Sequence, residues 1–334
     1  MKFYLGVDVG GSKTHALVAD MDSGRLSLGV GPGGNPESAG FSGMLESMRI
    51  AINDAKAQLP QEESICLGAG FGVAGFDWES DRAPISEGIE KLELGCPFRL
   101  ENDSLLPLWT ASTVGEGIAA SAGTGNNVRG RWHDGRSGRI TGNSLRNGEF
   151  GGASELVFLA IQQLSYAWTL RWLPGSASSR LEDIFLALTG AADLADLLEG
   201  IIRDRYQLSP SVAPLILQAA QDGDEMALKV VQRNADELAF SVLAVARQME
   251  IDEQPFDLVL SGSLLQHSPF YQNVFLQSVQ ALLPNARGIL LDVPPVVGAL
   301  MMALANDRES SKKVSEQLLE VRKMMAKNGW KIGE

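Results

Sequence analysis

Cysteine is nearly absent from this 334-residue sequence, and it contains no long apolar run. Its two cysteines, Cys66 and Cys96, form no CxxC motif and cannot build the disulfide framework of a small secreted protein. We therefore expect a reducing, cytoplasmic environment. No stretch approaches the roughly 18 apolar residues of a membrane-spanning helix. Asp8 interrupts the short apolar run at the start of the chain, so a signal peptide is not expected either.

Positive charge is also scarce. The chain has 28 Lys and Arg against 41 Asp and Glu, which gives a formal net charge of -13. Because cationic side chains supply most of the affinity for nucleic acid and for anionic lipid, we expect neither as a partner. A small anionic ligand is still compatible with this charge, since backbone N–H groups can bind phosphate without net positive charge.

Proline is sparse, with 14 residues, whereas glycine is abundant, with 36. Hydrophobic residues make up 45% and charged residues 21%, which is typical of a globular protein and excludes a disordered chain. The length predicts two domains. The glycine excess predicts tight turns or places where the backbone approaches a ligand closely.

The order of hydrophobic patterns predicts an α/β fold. Three short strands joined by turns begin the chain, and alternating helices and strands extend them. The pattern of strand, glycine turn and strand recurs after residue 116, which predicts an internal repeat, and the chain after residue 148 is predicted to be mostly helical. The predicted strands are 2–9, 14–21, 26–30, 65–71, 98–101, 117–122, 128–133, 139–141, 257–260 and 288–291. The predicted helices are 37–59, 79–92, 155–164, 180–188, 212–220, 225–250, 269–283, 295–305 and 309–327.

Four of these strands end beside glycines, small hydroxyls or carboxylates. Glycines let backbone N–H groups approach a phosphate closely, and hydroxyls add donors. One such turn usually only reverses the chain, but four in this order predict a phosphate site. A hairpin follows Gly11 and no G-x-x-x-x-G-K-[ST] string exists, so a Walker loop is excluded. The four segments are Asp8-Val9-Gly10-Gly11-Ser12-Lys13, Glu101-Asn102-Asp103, Ser121-Ala122-Gly123-Thr124-Gly125-Asn126 and Ser261-Gly262-Ser263.

Two further glycine strings match the dinucleotide-binding pattern G-x-G-x-x-G, at residues 29–34 and 70–75. In the first, Pro32 removes a backbone donor, and no ribose-binding acid follows the second at the usual distance. Both are therefore weak evidence for a dinucleotide fold. The histidines lie far apart in sequence and show no metal-ligand spacing, so no protein-held metal is predicted from them.

The four ordered motifs resemble the actin/hexokinase/Hsp70 ATPase superfamily. Within it, they are most similar to the BadF/BadG/BcrA/BcrD ATPase family and its N-acetylglucosamine kinase branch, from residue 4 to about residue 305. The resemblance implies an α/β fold of two ribonuclease-H-like domains that close on ATP, Mg²⁺ and a sugar. The expected domains are 1–115, with a C-terminal helix at 306–330 packed on it, and 116–305, with a helical insertion at about 150–250.

The resemblance assigns two acids to catalysis. Asp8 would orient the water shell of Mg²⁺, and Asp103 would accept the proton of the attacking sugar hydroxyl, a role that suits a carboxylate at a strand end. We expect them to face each other across the cleft between the two halves. Taken alone, Asp103 could equally be a helix N-cap, whereas a carboxylate such as Asp8 inside an apolar strand requires a reason. The implied ATP-binding residues are Gly10, Gly11, Ser12, Lys13, Gly123, Thr124, Gly125, Gly262, Ser263 and Gly298.

The sugar site implied by the resemblance departs from the family pattern at two positions. Asn35 matches an asparagine that binds the sugar, although a loop asparagine before Pro36 is an equal alternative. Glu149 stands where the family has an aspartate, and Asn143 where the mammalian-type kinase has an aromatic residue. These departures leave the identity of the sugar open. The implied substrate-binding residues are Asn35, Asn102, Asp103, Asn126, Asn127 and Glu149, with residues 72–77 lining the sugar side of the cleft.

Three functions follow from these assignments. The first is a kinase that converts an amino sugar, N-acetylglucosamine, to its 6-phosphate, with glucosamine or N-acetylmuramic acid as alternative acceptors. The second is the ATPase activator or reductase component of the BadF/BcrA type, which needs cysteines that bind an iron–sulfur cluster. The third is a silent sugar-sensing module, which the presence of both acids disfavours. The expected ligands are ATP, Mg²⁺ and a small sugar, and a homodimer is left open.

Overall fold

The computed structural model describes residues 1–59, 64–111, 115–170, 179–305 and 311–329. The first half of this chain forms a five-stranded sheet in the order β3-β2-β1-β4-β5. The first three strands are antiparallel neighbours, whereas β4 and β5 extend the sheet in parallel with β1. Its strands are β1 (Lys2–Val9), β2 (Lys13–Asp20), β3 (Arg25–Pro32), β4 (Ile65–Val73) and β5 (Phe98–Glu101).

A second five-stranded sheet repeats this topology, which confirms the internal repeat. Its order is β8-β7-β6-β9-β10, with β6 antiparallel to β7 and parallel to β9. β7 begins two residues earlier than predicted, because Asn126 and Asn127 already pair with Ala122 and Ser121. The glycine turn is therefore confined to residues 123–125. The strands are β6 (Gly117–Ala122), β7 (Asn126–Arg131), β8 (Ser137–Arg139), β9 (Phe256–Ser261) and β10 (Ala286–Leu290).

Helices cover both faces of the first sheet. One face carries α1 (Pro36–Ala57) and α2 (Glu79–Glu90), and α3 (Leu108–Ala111) follows β5. Glycines let the helices approach closely: a Cβ atom at Gly29 would lie 2.0 Å from the Ala51 carbonyl oxygen in α1. A Cβ atom at Gly70 would lie 2.1 Å from the Ala299 carbonyl oxygen on the opposite face. Both strings that match G-x-G-x-x-G thus contain glycines that serve helix–sheet packing.

The end of the chain returns to the first sheet. Helix α11 (Val296–Leu304) packs against β1 and β4, where a Cβ atom at Gly6 would meet the Leu300 backbone nitrogen at 2.4 Å. Helix α12 (Ser311–Lys327) packs beside it through Val321, Met324 and Met325. The last two helices of the described chain therefore cover the first half, including α11, which we expected to accompany the second half.

The second half carries the helical insertion between β8 and β9. The predicted long helix buries its apolar stripe in the core of this half. In the insertion, helix α6 (Leu194–Ile202) was not predicted; Asp193 caps it by accepting a hydrogen bond from the Asp196 N–H. The short helix at Ser263–His267, after β9, was not predicted either. No helix in the described ranges has the length and apolarity to cross a membrane. The helices are α4 (Ala153–Thr169), α5 (Arg180–Thr189), α6 (Leu194–Ile202), α7 (Ala213–Gln221) and α8 (Glu225–Gln248), followed after β9 by α9 (Ser263–His267) and α10 (Pro269–Leu282).

Candidate active site

Asp8 and Asp103 lie at the carboxyl-terminal edge of the first sheet. Asp8 is near the end of β1, and Asp103 follows β5 by two residues. Only β4 separates these parallel strands, so both acids belong to the same half of the molecule. Both acids thus lie within the expected first domain, 1–115, but our expectation that they face each other across the cleft between the halves was wrong, because parallel strands of one sheet end at the same edge.

The electrostatics of the two carboxyl groups reflect burial and proximity. Burial and the negative charge of Asp103 raise the pKa of Asp8 to about 8. Burial also raises the pKa of Asp103, to about 6, against the opposing effects of the Arg129 charge and the Ser104 N–H. Asp103 is therefore ionised at neutral pH, whereas Asp8 without a nearby cation is largely protonated.

Asn102 fixes the backbone that presents Asp103. Its side-chain oxygen accepts hydrogen bonds from the Ser104 N–H at 3.0 Å and the Ser104 hydroxyl at 2.5 Å. Its amide nitrogen donates to the Phe76 carbonyl oxygen at 3.0 Å. Asn102 is thus the N-cap of the short 3-10 helix Asp103–Leu105, and Asp103 is not. The Asn102 amide is buried in these contacts, whereas Asp103 is half-buried.

Two arginines that the sequence analysis did not single out join the halves beside Asp103. The Arg129 guanidinium donates to the Asp77 carboxylate at 2.5 Å, and Arg131 forms an ion pair with Glu101. Both arginines lie on β7, and both acids belong to the first half. The signal was the period-two spacing of Asn127, Arg129 and Arg131, which places them on one face of a strand. That face is directed at the first half, whereas Val128 packs in the core of the second.

The first glycine loop connects β1 to β2 near Asp8. The Gly10 N–H donates to the Lys13 carbonyl oxygen at 2.9 Å, and the Gly34 N–H donates to the Gly10 carbonyl oxygen at 3.0 Å. These bonds hold the loop from behind. Gly11, Ser12 and Lys13 are exposed, and a Cβ atom at Gly11 would meet nothing within 4 Å. The loop therefore offers an open surface with one cationic side chain.

The second glycine loop, residues 123–125, lies at the matching edge of the second sheet. The Ala153 N–H donates to the Gly123 carbonyl oxygen at 2.9 Å, and the Ser154 N–H donates to the Thr124 carbonyl oxygen at 2.8 Å. The start of α4 thereby fixes the loop. A Cβ atom at Gly123 would lie 3.7 Å from the Ser263 backbone nitrogen, so this loop and the Gly262-Ser263 turn are neighbours. Gly262 has φ +87° and fits tightly against Ala122.

A cavity of about 470 Å³ opens beside this turn. Its volume is within the range of small-molecule sites. It lies between the Gly262-Ser263 turn with the helix that follows it and the helical insertion. Residues of its wall include Ala153, Pro210, Leu217, Ser263, His267 and Phe270.

The remaining predicted site residues differ in what they contact. The Asn35 side-chain oxygen accepts from the Glu37 N–H at 2.8 Å and caps α1. The Glu149 carboxylate accepts from the Thr141 N–H at 2.6 Å and the Asn143 N–H at 3.0 Å, so it holds its own loop.

Asn126 and Asn127 are different, because their buried side-chain oxygens have no hydrogen-bond partner in the part of the chain that is described. Gly298 lies in a packed contact, where a Cβ atom would be 2.1 Å from the Leu106 carbonyl oxygen.

The donor set fits a magnesium ion held by water. Within the described residues, no three His, Cys, Asp or Glu side chains cluster as direct ligands. Asp8, however, is a carboxyl group whose ionisation is opposed by burial and by the charge of Asp103. A divalent cation nearby would relieve both effects, and Mg²⁺ usually keeps several waters while it binds one or two carboxylates and substrate phosphates.

Comparisons with known proteins relate the chain to amino-sugar kinases. No family model matches it. The N-acetyl-D-glucosamine kinase of Dictyostelium discoideum is 24% identical over 91% of this chain and 98% of its own length. The N-acetylmuramic acid/N-acetylglucosamine kinase of Clostridium acetobutylicum is 25% identical, with the same shares. These similarities confirm the relationship to N-acetylglucosamine kinases that the motifs indicated.

Solved structures show the same fold. A Chromobacterium violaceum chain, provisionally described as an N-acetylglucosamine kinase, aligns with a TM-score of 0.63 and 21% identity. The alignment covers 90% of this chain and 99% of that one. A ROK family glucokinase from Streptomyces griseus, solved with glucose and AMPPNP, aligns with a TM-score of 0.51 and 19% identity over 90% and 98% of the two chains. The expected α/β fold with two ribonuclease-H-like sheets is thereby confirmed.

Proposed function

We propose that this protein is an ATP-dependent kinase of amino sugars that transfers the γ-phosphoryl group to N-acetylglucosamine and forms its 6-phosphate. One observation carries this proposal. A half-buried carboxylate, Asp103, stands at the same sheet edge as Asp8 and the first glycine loop. The relatives named as N-acetylglucosamine kinases support the choice of acceptor.

Asp103 acts as the general base. Its pKa of about 6 leaves it ionised at neutral pH yet basic enough to accept the hydroxyl proton as the sugar oxygen attacks phosphorus. Arg129 lowers that pKa, and Asn102 fixes the backbone on which the carboxylate is carried. Phosphoryl transfer requires mainly positioning and charge stabilisation, so a single well-placed base suffices for the proton.

The two glycine loops bind the phosphates from opposite halves. Gly11, Ser12 and Lys13 offer exposed backbone donors and a cation near Asp8, and Gly10 holds the loop through its bond to the Lys13 carbonyl oxygen. Residues 123–125 offer a second set of backbone donors from the other sheet. When bound, Mg²⁺ neutralises phosphate charge, and Asp8 holds its water shell. Gly262 and Ser263 border the adenosine, which occupies the cavity of about 470 Å³.

Asn127 binds the sugar. It lies on the β7 face directed at the first half, and its buried side-chain oxygen lacks a partner among the described residues, so a sugar hydroxyl is the donor that would satisfy it. Asn126 lies on the opposite face, where its amide nitrogen donates to the Glu149 carbonyl oxygen at 3.3 Å, so it supports the site indirectly. The Asn35 amide nitrogen is available to a sugar hydroxyl while its oxygen caps α1. Glu149 shapes the neighbouring loop through the N–H groups of Thr141 and Asn143. Asn102 contributes indirectly, because its amide is occupied by Phe76 and Ser104.

The thiols disfavour the alternative of an iron–sulfur-dependent ATPase activator. Cys66 and Cys96 contact each other at 2.8 Å between sulfur atoms, near the start of β4 and so at the sheet edge opposite to Asp103. Burial and the neighbouring thiol raise the pKa of Cys66, whereas cluster ligands must be thiolates. The scarcity of cysteine supports the cytoplasm as the proposed location, and the homodimer stays a prediction.

A coupled ADP-release assay tests the proposal. The acceptor panel is N-acetylglucosamine, glucosamine, N-acetylmuramic acid and glucose, with a sugar-free sample as the control. We expect ADP release that depends on N-acetylglucosamine and Mg²⁺, and a product that carries the phosphate on the 6-hydroxyl by NMR. ADP release at the same rate without sugar would favour the ATPase activator instead, and binding of sugar without ADP release would favour the sensing module.

A further inference from the structure

A second cavity, of about 620 Å³, lies between the two halves next to Asp103. It is enclosed by the loop after β4, the end of β5 and the β7–β8 hairpin. Asn102, which directly precedes Asp103, and Arg129, whose charge acts on Asp103, both form part of its wall. A substituent on a sugar whose hydroxyl is held at Asp103 can therefore extend into this cavity.

Each carboxylate of the cavity wall already has an arginine partner. Asp77 pairs with Arg129, and Glu101 pairs with Arg131. Glu79 pairs with Arg82 at 2.7 Å on the exposed rim. These three arginines therefore compensate the negative charge of the wall, and one further arginine of the lining is left over.

That last arginine is Arg139, on β8. Its guanidinium stacks over the Trp78 ring at 4.2 Å from the centroid and forms no ion pair with any described residue. The Nη1 atom of Arg139 is buried and lacks a hydrogen-bond partner. The Nε atom of Arg129 is also buried without a partner, on a residue only 7% exposed. Buried guanidinium donors are normally satisfied, so two of them at one cavity point to an anionic ligand.

We infer that this cavity binds the carboxylate of an acidic amino sugar, with Arg139 as its ion-pair partner. The inference rests on the proposed function, because the sugar hydroxyl must be held at Asp103. A singly charged carboxylate suits the site better than a phosphate dianion, since Arg139 is the one arginine of the described wall that is not already paired with an acid. The guanidinium fork matches a carboxylate, and the half-exposed Trp78 ring offers apolar surface to the arm that bears it.

The prediction is a preference for the charged form of one substituent. The probes are N-acetylmuramic acid, which bears a carboxylate on a short ether arm, and its methyl ester, which has nearly the same shape without the charge. Calorimetry with the full chain should show about tenfold or tighter binding of the acid than of the ester. Arg139→Gln should remove this difference, and should lower the ratio of kcat/KM for the acid to kcat/KM for N-acetylglucosamine by about 10- to 100-fold.

Arg136→Gln is the matched control. Arg136 lies in the same hairpin outside the cavity wall, and it pairs with Asp134 and Glu250. The substitution removes one positive charge from the same hairpin but leaves the cavity wall intact, so the ratio of acid affinity to ester affinity should be kept. Loss of the ratio in both variants would show a general charge effect and overturn the assignment to Arg139.

Two outcomes separate this inference from the proposed function. If N-acetylglucosamine is phosphorylated but the acid binds no more tightly than its ester, the inference is overturned and the kinase proposal is kept. If no sugar is phosphorylated but the acid preference exists and depends on Arg139, the anion site is supported and the kinase proposal is overturned.

Discussion

The two sheets have one topology but carry different chemistry at their matching edges. In the first, Asp8 stands near the end of β1, and Asp103 follows β5. In the second, Ser121 stands at the corresponding place on β6. Asp292 follows β10 by two residues, as Asp103 follows β5, but its carboxylate is bound by Arg322 at 2.7 Å. Of these three strand-end acids, only the two of the first half are without an ion-pair partner among the described residues.

The difference shows how a duplicated fold divides the work. Strand order and register are repeated, so each half presents a glycine loop at its carboxyl-terminal edge. Beyond the strands, the first half adds uncompensated carboxyl groups, whereas the second adds a helical insertion and the cavity of about 470 Å³. The fold supplies positions, and in the proposed function the residues at strand ends assign proton transfer to the first half and nucleoside binding to the second.

The largest expected effect comes from removing, one at a time, the acids that follow the last strand of each sheet. Asp103→Ala removes the general base, so kcat should fall by about a thousandfold. ATP binding should be kept, because the glycine loops are untouched. Asp292→Ala removes only a partly exposed ion pair with Arg322, and kcat should stay within about threefold of the wild-type value.

The measurements are the coupled assay for kcat and calorimetry for ATP. Equal loss of activity in the Asp103 and Asp292 variants would show that the halves are not specialised as described. Turnover near the wild-type value in Asp103→Ala would refute the assignment of the base.

The next effect concerns the stability that is lost by burying Asp8. Its pKa in the folded protein, about 8, exceeds the ordinary value of 3.8, so the folded state binds more protons than the unfolded state between these values. Stability should therefore fall as the pH rises from about 4 to about 8. Asp8→Asn removes this cost, and the variant should be more stable than the wild type by about 1–3 kcal/mol at pH 8.

The same variant should be a poorer enzyme. The loss of a residue that orients the metal water shell should cost about 10- to 100-fold in activity with Mg-ATP. Melting temperatures without nucleotide at pH 5, 6.5 and 8 check the stability difference, which should widen with pH. Ser121→Ala, at the matching place in the second sheet, provides the control and should show no such widening. A pH-independent difference for Asp8→Asn would contradict the burial cost.

The sequence predicted the strands and glycine loops well because their signals are local. Apolar alternation, turn residues and the hydroxyl or carboxylate at each strand end all lie within a few residues of one another. The corresponding sheet edges could be inferred from the repeat. Helix α6 was missed because it is short and its start depends on one capping residue, Asp193.

Pairings between distant segments were not accessible in this way. Nothing near Arg129 in the sequence identifies Asp77 as its partner, because the pair forms only when the second half folds against the first. The expected first domain, 1–115, already contained both Asp8 and Asp103, but their meeting at one sheet edge depends on strand order, which short motifs do not encode. The packing role of Gly298 was missed for the same reason. Its close contact with Leu106 forms only when α11 packs on the first sheet.

The smallest expected effect is a shift in the pH dependence of kcat/KM, which should occur when Arg129 is replaced but not when Arg131 is replaced. The acid limb of kcat/KM should report Asp103, with a pKa of about 6. Arg129 lowers this pKa, and the Asp77 charge, which Arg129 compensates, raises it. Arg129→Met should therefore move the limb to higher pH, so that kcat/KM falls about tenfold at pH 6 and much less at pH 8.

Arg131→Met is the control for this shift, because it breaks the neighbouring bridge to Glu101 while Arg129 and Asp77 stay in place beside Asp103. Its pH profile should keep the wild-type acid limb even if the rate falls. The readout is kcat/KM for N-acetylglucosamine from pH 5 to pH 9. A loss in Arg129→Met that is the same at every pH would mean that the arginine only joins the halves. A shift in both variants would mean that closure of the halves, rather than the local charge of Arg129, sets the ionisation of Asp103.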